Sequence, residues 1–318
     1  MNPGNETPSA AGRPPSGQVE RISDAVRVVT APNAGPMTHT GTRTYVVGNG
    51  DVALIDPGPA DPRHFDALLG ALEPGERIAQ ILVTHSHLDH SPLARAFAER
   101  APVAAFGRSH DGRSQRMNEL ERTGFLGGGE GVDREFVPDV FLADGDILEG
   151  GNWALQAIHT PGHLSNHMCF ALVGAGMLFT GDHVMGWSTT LVSPPDGDIS
   201  DFMGSLRKLI ERPERTYLPG HGPPVGDGPD LAARQLAHRQ EREAQIIAAL
   251  GGGPAAPPAL VEKIYEGLDP RLRAAASRNV LAHLIDLAGR GIVRAAGPVR
   301  ADALFELGAD ADKTTSRA

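Results

Sequence analysis

Three histidines and one aspartate fall within six residues in the stretch Thr84-His85-Ser86-His87-Leu88-Asp89-His90. Core packing does not account for so many polar groups directly after an apolar run. Imidazole suits zinc and related ions, and carboxylate completes such sites, so His85, His87, Asp89 and His90 are candidate metal ligands. A complete site needs about four ligands per ion. Further candidates stand at later turns: His163 in Thr160-Pro161-Gly162-His163, Asp182 after Gly181, and His221 in Pro219-Gly220-His221-Gly222. His39, His64, His110, His159, His167, His238 and His283 lie outside these motifs and read as structural or solvent-exposed.

Each candidate ends a strand-like run and enters a turn, most of them glycine-containing, where backbone and ion can approach closely. The runs AVRVVT (25–30), TYVVG (44–48) and DVALID (51–56) read as strands, with Asn49-Gly50 as a hairpin signal between the last two. A helix is expected over 61–73, a buried strand over 77–84, a helix over 91–100 with Ser91 as cap, and a strand over 102–107. Residues 108–136 are polar and read as an irregular, lid-like insertion. A second strand set is expected at 146–151, 153–160, 167–174 and 176–182, with Trp153 in the core. A helix over 199–212 and a strand over 215–219 follow. In Pro194-Pro195-Asp196-Gly197-Asp198 the two aspartates read as a turn and a helix cap rather than a catalytic pair. Two strand sets, each followed by helix, point to an α/β protein of four layers with two packed sheets. A long helix over 229–250, a second helix, a third over 271–290 and a short β-like segment then resemble a winged-helix unit.

The bulk composition narrows the function classes. The formal charge is −10, with 29 basic and 39 acidic residues, so the surface as a whole does not attract nucleic acid. Cys169 is the sole cysteine, which rules out an intramolecular disulfide and fits a reducing compartment. Residues 1–20 are rich in Pro, Gly, Ser and Asn and are expected to form a disordered arm, without the apolar region of a signal peptide. No run is long and apolar enough for a membrane helix, and a cytoplasmic protein is expected.

The ordered motifs HSHLDH (85–90), TPGH (160–163), GD (181–182) and PGHG (219–222), preceded by IDPG (55–58), resemble the metallo-β-lactamase fold superfamily over residues 22–228. The resemblance implies a four-layer αββα catalytic domain at 21–228, with a small C-terminal helical, winged-helix-like domain and tail at 229–318. It implies two divalent metal ions, with zinc expected and manganese or iron as alternatives. His85, His87 and His163 would hold one ion, Asp89, His90 and His221 the other, and Asp182 would bridge them. Asp56 would hold the HSHLDH loop rather than bind metal. Relatives that degrade antibiotics usually lack an aspartate where Asp182 stands, and the diiron reductases carry glutamate where His87 stands, so neither of those chemistries is implied. GWSTTLVSPPDGDISDFMGSLRKL (186–209), the charged helix LAHRQEREAQI (236–246) and the tail further resemble the β-lactamase-like protein 2 group.

The chemistry so implied is hydrolysis by a hydroxide that the two cations generate from water. Asp89 would orient that nucleophile. His183 is a candidate proton donor to the leaving group, against a packing role for the same residue or a metal-held water as donor. Trp187, Ser188 and Thr189 are candidate substrate contacts. A small-molecule ester, thioester or lactone is the first substrate expectation. Single-stranded RNA is the alternative partner, since Arg271, Arg273, Arg278 and Arg290 outnumber Asp286 on the expected third helix, whose other reading is packing on the catalytic domain. A third reading makes the tail a metal-sensing binding module without turnover. A homodimer is compatible with all three.

Overall fold

The structure is a computed structural model of the chain, describing residues 16–308 apart from 126 and 130. Seven strands form the first sheet in sequence order: β1 (Val19–Ser23), β2 (Val26–Thr30), β3 (Arg43–Val47), β4 (Asp51–Ile55), β5 (Arg77–Leu82), β6 (Val103–Ala105) and β7 (Val140–Phe141). The first four pair antiparallel and the last three join in parallel. The Asn49-Gly50 turn closes the β3–β4 hairpin, with Gly48 and Gly50 at positive φ as such a reversal demands. The second sheet has five strands: β8 (Ile147–Gly150), β9 (Trp153–His159), β10 (Met168–Leu172), β11 (Met177–Gly181) and β12 (Thr216–Pro219), in the order β12-β11-β10-β9-β8. Only β11 and β12 pair in parallel.

β2, β3 and β10 are buried at every residue, which fits their largely apolar or β-branched sequences, with Arg27 and Arg43 as the buried charged exceptions. Val28, Tyr45, Val47 and Ile55 of the first sheet pack against Leu155, Phe170, Phe179 and Leu218 of the second. The outer face of the first sheet is covered by α1 (Pro62–Gly70) and α2 (Leu93–Phe97), through Leu68 and Phe97. The outer face of the second is covered by α4 (Ile199–Ile210) and α5 (Gly228–Leu250), through Phe202, Leu206 and Ala232. The layers are therefore αββα. A separate core joins α3 (Gln115–Arg122) to α5, α6 (Pro257–Ile264), α7 (Arg273–Gly289) and the small sheet of β13 (Val293–Ala295) and β14 (Phe305–Leu307).

Several local expectations change. The expected arm, 1–20, lies outside the described residues up to 15, while Val19 and Glu20 belong to β1. The expected tail lies outside them beyond 308. The helix expected over 91–100 is shorter, at 93–97, and Ser91 does not cap it: its hydroxyl donates to the His87 carbonyl and to Asp133. The insertion 108–136 is not wholly irregular, because Ser114 caps α3 by accepting from the Met117 amide. Asp61 and Asp198 cap α1 and α4 in the same way.

Candidate metal centre

The ends of β4, β5, β9, β11 and β12 meet at one edge of the sandwich. The Met168 amide donates to the Thr84 carbonyl at 2.7 Å, the Gly220 amide to Gly181 at 2.8 Å, and the Arg43 amide to Gly220 at 2.8 Å. These bonds tie the β5 end to β10, the β12 end to the β11 end, and β3 to the β12 end. Gly220 is required by space: a Cβ there would lie 2.6 Å from Asp182 Oδ1 and 2.7 Å from His90 Cε1.

Seven side chains converge as a result. His85, His87, His163 and Asp182 form one group and Asp89, His90 and His221 a second. Asp182 lies between them: its Oδ2 is 3.7 Å from His163 Nε2 and 3.3 Å from His221 Nε2, and its Oδ1 is 3.5 Å from His90 Nε2. Asp89 Oδ2 lies 3.2 Å from His221 Nε2 and accepts from the Thr42 hydroxyl at 3.1 Å.

The tautomers follow from the partners on the outside of the cluster. His163 Nδ1 donates to the Leu191 carbonyl at 2.7 Å, His90 Nδ1 to Asp56 at 2.9 Å, and His85 Nδ1 to the Thr84 hydroxyl at 3.0 Å. With a cation at the centre, each would turn an unprotonated Nε2 inward. His87 presents Nδ1 instead, 2.9 Å from His85 Nε2 and 3.0 Å from His163 Nε2. One proton on His87 Nδ1 can serve only one of these two contacts, and the other pair of nitrogens then repels unless a cation lies among them. Nitrogens bound at about 2.0–2.1 Å to a tetrahedral zinc sit roughly 3.3 Å apart, a few tenths of an ångström wider than these separations.

Electrostatics agree. Burial and then neighbouring histidines hold His85 well below its ordinary range, and burial and His163 take His87 down to about 3. In the second group burial opposes protonation, but Asp182 and Asp89 outweigh it, raising His221 to about 9 and His90 well above the usual value. For Asp89 and Asp182 burial is likewise overcome, by His90 and His221, which hold both carboxyls ionised. Asp182 Oδ1 is buried without a hydrogen-bond donor. The acids therefore demand positive charge, and the donor set fits a pair of divalent cations.

Asp56 is itself strained, at φ 50°, and nearly enclosed. Its Oδ1 accepts the Thr84 amide at 2.7 Å, while Oδ2 accepts the Thr84 hydroxyl at 2.7 Å and His90 Nδ1. A carboxylate held in a left-handed conformation at roughly 1–2 kcal/mol, and spending both oxygens on the histidine loop, orients ligands rather than binding metal.

A cavity of about 410 Å³ opens over the cluster, walled by His87, Asp89 and His221 on one side and by Arg271, Ala274 and Arg278 on the other. The latter belong to the turn before α7 and to α7 itself. The helix read as a nucleic-acid reader thus turns its first half onto the cleft, buries Val280–Leu287, and engages Arg273 with Glu262 and Arg290 with Glu243 and Asp286. These contacts fit the packing reading of that helix, while Arg271 and Arg278 line the cleft. Trp187, Ser188 and Thr189 line a smaller cavity of about 200 Å³ that shares His163, Asp182 and Leu191 with the cleft.

His183 is placed differently from a proton donor. It is wholly buried, outside the walls of both cavities, packed on Phe202 with ring centroids 4.4 Å apart, and driven down to about 3 by burial and His163. These are the surroundings of a packed side chain. Asp196 is likewise structural, pairing with Arg113 and accepting the Gly129 amide, so that it ties the 108–136 insertion over the cleft. Thr42, which steadies Asp89, and His167, whose Nε2 accepts the Asp182 amide at 3.2 Å, carry no motif that would have revealed them.

Residues 38–221 match the family described as the metallo-beta-lactamase superfamily, and residues 256–300 the beta-lactamase associated winged helix domain. The chain is 32% identical over 240 residues to an atrochrysone carboxyl ACP thioesterase of Aspergillus fumigatus, covering 73% of this chain and 67% of that one. A metallo-beta-lactamase family protein of Thermus thermophilus superposes with TM-score 0.72 at 25% identity, over 90% of this chain and all (100%) of the other. A beta-lactamase domain protein of Burkholderia ambifaria shares the fold, with TM-score 0.75 at 20% identity over 95% and 96% of the two chains.

Proposed function

The chain belongs to the metallo-beta-lactamase superfamily, and from that premise we propose that it is a dinuclear metal-dependent hydrolase whose substrate is a thioester. The observation that carries this is the convergence of seven His and Asp side chains, in two groups, on one cleft. We take residues 21–228 as the catalytic domain and 229–318 as the appended one. His85, His87 and His163 are assigned to one ion, Asp89, His90 and His221 to the other, and Asp182 to both. Zinc suits this nitrogen-rich set, as do manganese and iron. When bound, such a pair would lower the pKa of a water molecule and offset the charge that develops on an attacked carbonyl oxygen.

The protein's own part begins with Asp89. Its carboxylate keeps 27% of the side chain exposed to the cleft while Thr42 fixes one oxygen. It can accept a hydrogen bond from the attacking water, take its proton, and release that proton after the thiolate has left. Water adds to the acyl carbon, the carbon–sulfur bond breaks, and a carboxylic acid and a thiol result. The leaving group argues for sulfur. With His183 buried elsewhere, the described residues of the cleft wall include no histidine, lysine or tyrosine besides the cluster itself. A thiolate, of pKa about 8.5, departs without a dedicated acid far more readily than an alkoxide does. The thioesterase relatives support the same choice. The 108–136 insertion and α7 form walls that bring the substrate over the cluster.

The test is a panel of acyl thioesters, oxygen esters, lactones and single-stranded RNA, assayed with metal-loaded protein and after chelation. Thioester turnover that chelation abolishes and zinc or manganese restores is expected. Turnover of RNA alone, or chelator-insensitive hydrolysis, rules the reading out.

A further inference from the structure

Arg239 is a charged residue in a place where charge is rarely left alone. It sits on α5 with 2% of its surface exposed. Fully buried arginines are almost always paired with an acid. Here Nη2 donates to the Thr190 carbonyl, the guanidinium lies 5.2 Å from the Phe202 ring centroid, and Nε has no acceptor among the described residues. Burial lowers its pKa only to about 10, so it remains protonated at neutral pH.

Its surroundings are basic as well. The neighbours that act on it are the Tyr265 phenol and Arg242, with no carboxylate among them. His238 and His283 are both held toward the neutral form, by burial first. Arg239 adds to that effect at both. A backbone carbonyl and a ring face satisfy part of a guanidinium and neutralise none of it.

The smaller cavity gives that charge an outlet. Arg239 lines it together with Trp187, Thr189, Tyr265 and Asn279. The same cavity is walled by His163 and Asp182, and it shares Met37, Leu191 and Ala275 with the main cleft. A group entering it from the cluster would run between aromatic and apolar walls toward a lone buried cation.

We propose that this branch is an anion subsite, in which Arg239 receives a carboxylate carried by the acyl part of the substrate. The preferred acyl group is then one that bears a second carboxylate away from the bond being cut. The thiol part of the substrate then leaves through the larger cleft. The proposal rests on the thioesterase reading of the cluster, and its test is separable from that reading.

Isothermal titration of full-length, metal-loaded protein with malonate, succinate, glutarate and adipate, against butyrate, reads the subsite without turnover. All five acids offer one carboxylate to the cluster; only a diacid of suitable length also reaches Arg239. At least one diacid is expected to bind ten-fold or more tighter than butyrate. In Arg239→Gln that ratio should fall to about two or less. Ala275→Met, which narrows the wall shared by the two cavities, should lower it too and serves if the first variant fails to fold. In parallel, the ratio of kcat/KM for a glutaryl thioester to that for its neutral methyl-ester counterpart should fall at least ten-fold in Arg239→Gln. Equal binding of diacids and butyrate, or a preference that survives in whichever variant folds, overturns the subsite. An Arg239-dependent diacid preference in a protein that turns over no thioester upholds the subsite and removes the thioesterase reading. Thioester turnover indifferent to a second carboxylate does the reverse.

Discussion

Replacing Asp56 by asparagine perturbs the cluster through a residue that touches no metal. The substitution keeps size and shape, and asparagine tolerates the φ of 50° at this position. What changes is acceptor count. Asp56 Oδ1 accepts the Thr84 amide, and Oδ2 accepts both the Thr84 hydroxyl and His90 Nδ1. The asparagine carbonyl can keep the amide, but its NH₂ then faces two groups that were donating. The Thr84 hydroxyl can rotate. His90 must move its proton from Nδ1 to Nε2, the atom that lies 3.5 Å from Asp182 and 3.4 Å from His221. A proton there competes with a cation. Loss of such an orienting partner weakens metal binding about 10- to 100-fold, which is roughly 1.4–2.7 kcal/mol. The effect should concentrate on the group containing His90, so metal content under a buffered chelator should fall from two ions per chain toward one. The assay is elemental analysis beside competition with a chromophoric chelator, and circular dichroism checks the fold. A folded Asp56→Asn protein that holds both ions as tightly as the parent would refute the tautomer argument.

Three further outcomes follow from other parts of the molecule. Gly220→Ala pushes a methyl group against Asp182 and His90, so it should fold yet bind metal and turn over substrate at least ten-fold less well; parental activity would show that the turn has slack. Asp201, in the first turn of α4, is raised to about 6 by burial and then by Asp198. Because its folded pKa lies above the ordinary value, it costs nothing at low pH and destabilises as pH rises through about 4 to 6. Asp201→Asn should therefore gain about 1 kcal/mol relative to the parent at pH 8, after allowance for solvent screening, and gain little at pH 4, as urea titrations at the two values would reveal. The Cys169 thiol, pushed up to about 12 by burial, should resist a disulfide reagent at pH 8 until denaturant opens the fold; rapid labelling of native protein would mean that β10 is not enclosed.

Legibility in the sequence tracks locality. The histidine loop, the Asn49-Gly50 hairpin and the Asp198 cap were readable because each is decided within a few residues. The apolar runs marked the strands for the same reason. Helix α3 was missed because Met117 and Leu120 find apolar partners only in the distant core of α5–α7. The facing of α7 could not be read from its arginines, since charge along a helix does not say which face a remote cleft will claim. His183 looked available beside Asp182, yet the chain turns it inward onto Phe202. Thr42 reaches Asp89 across 47 residues, and Arg239 looked like one charge in a charged helix although it is enclosed. In these cases the deciding contacts are long-range, and residue type alone carries no trace of them.

The central claim is that one cleft holds two cations through His85, His87, His163, Asp182, Asp89, His90 and His221. Elemental analysis of protein purified without chelator or affinity metal, repeated on Asp182→Ala and on a His110→Ala control outside the cluster, tests it most directly. The account predicts close to two transition-metal ions per chain in the parent and the control, and one or fewer in a folded Asp182→Ala protein. Two ions retained in Asp182→Ala, or none taken up by the parent when zinc, manganese and iron are supplied, would contradict it.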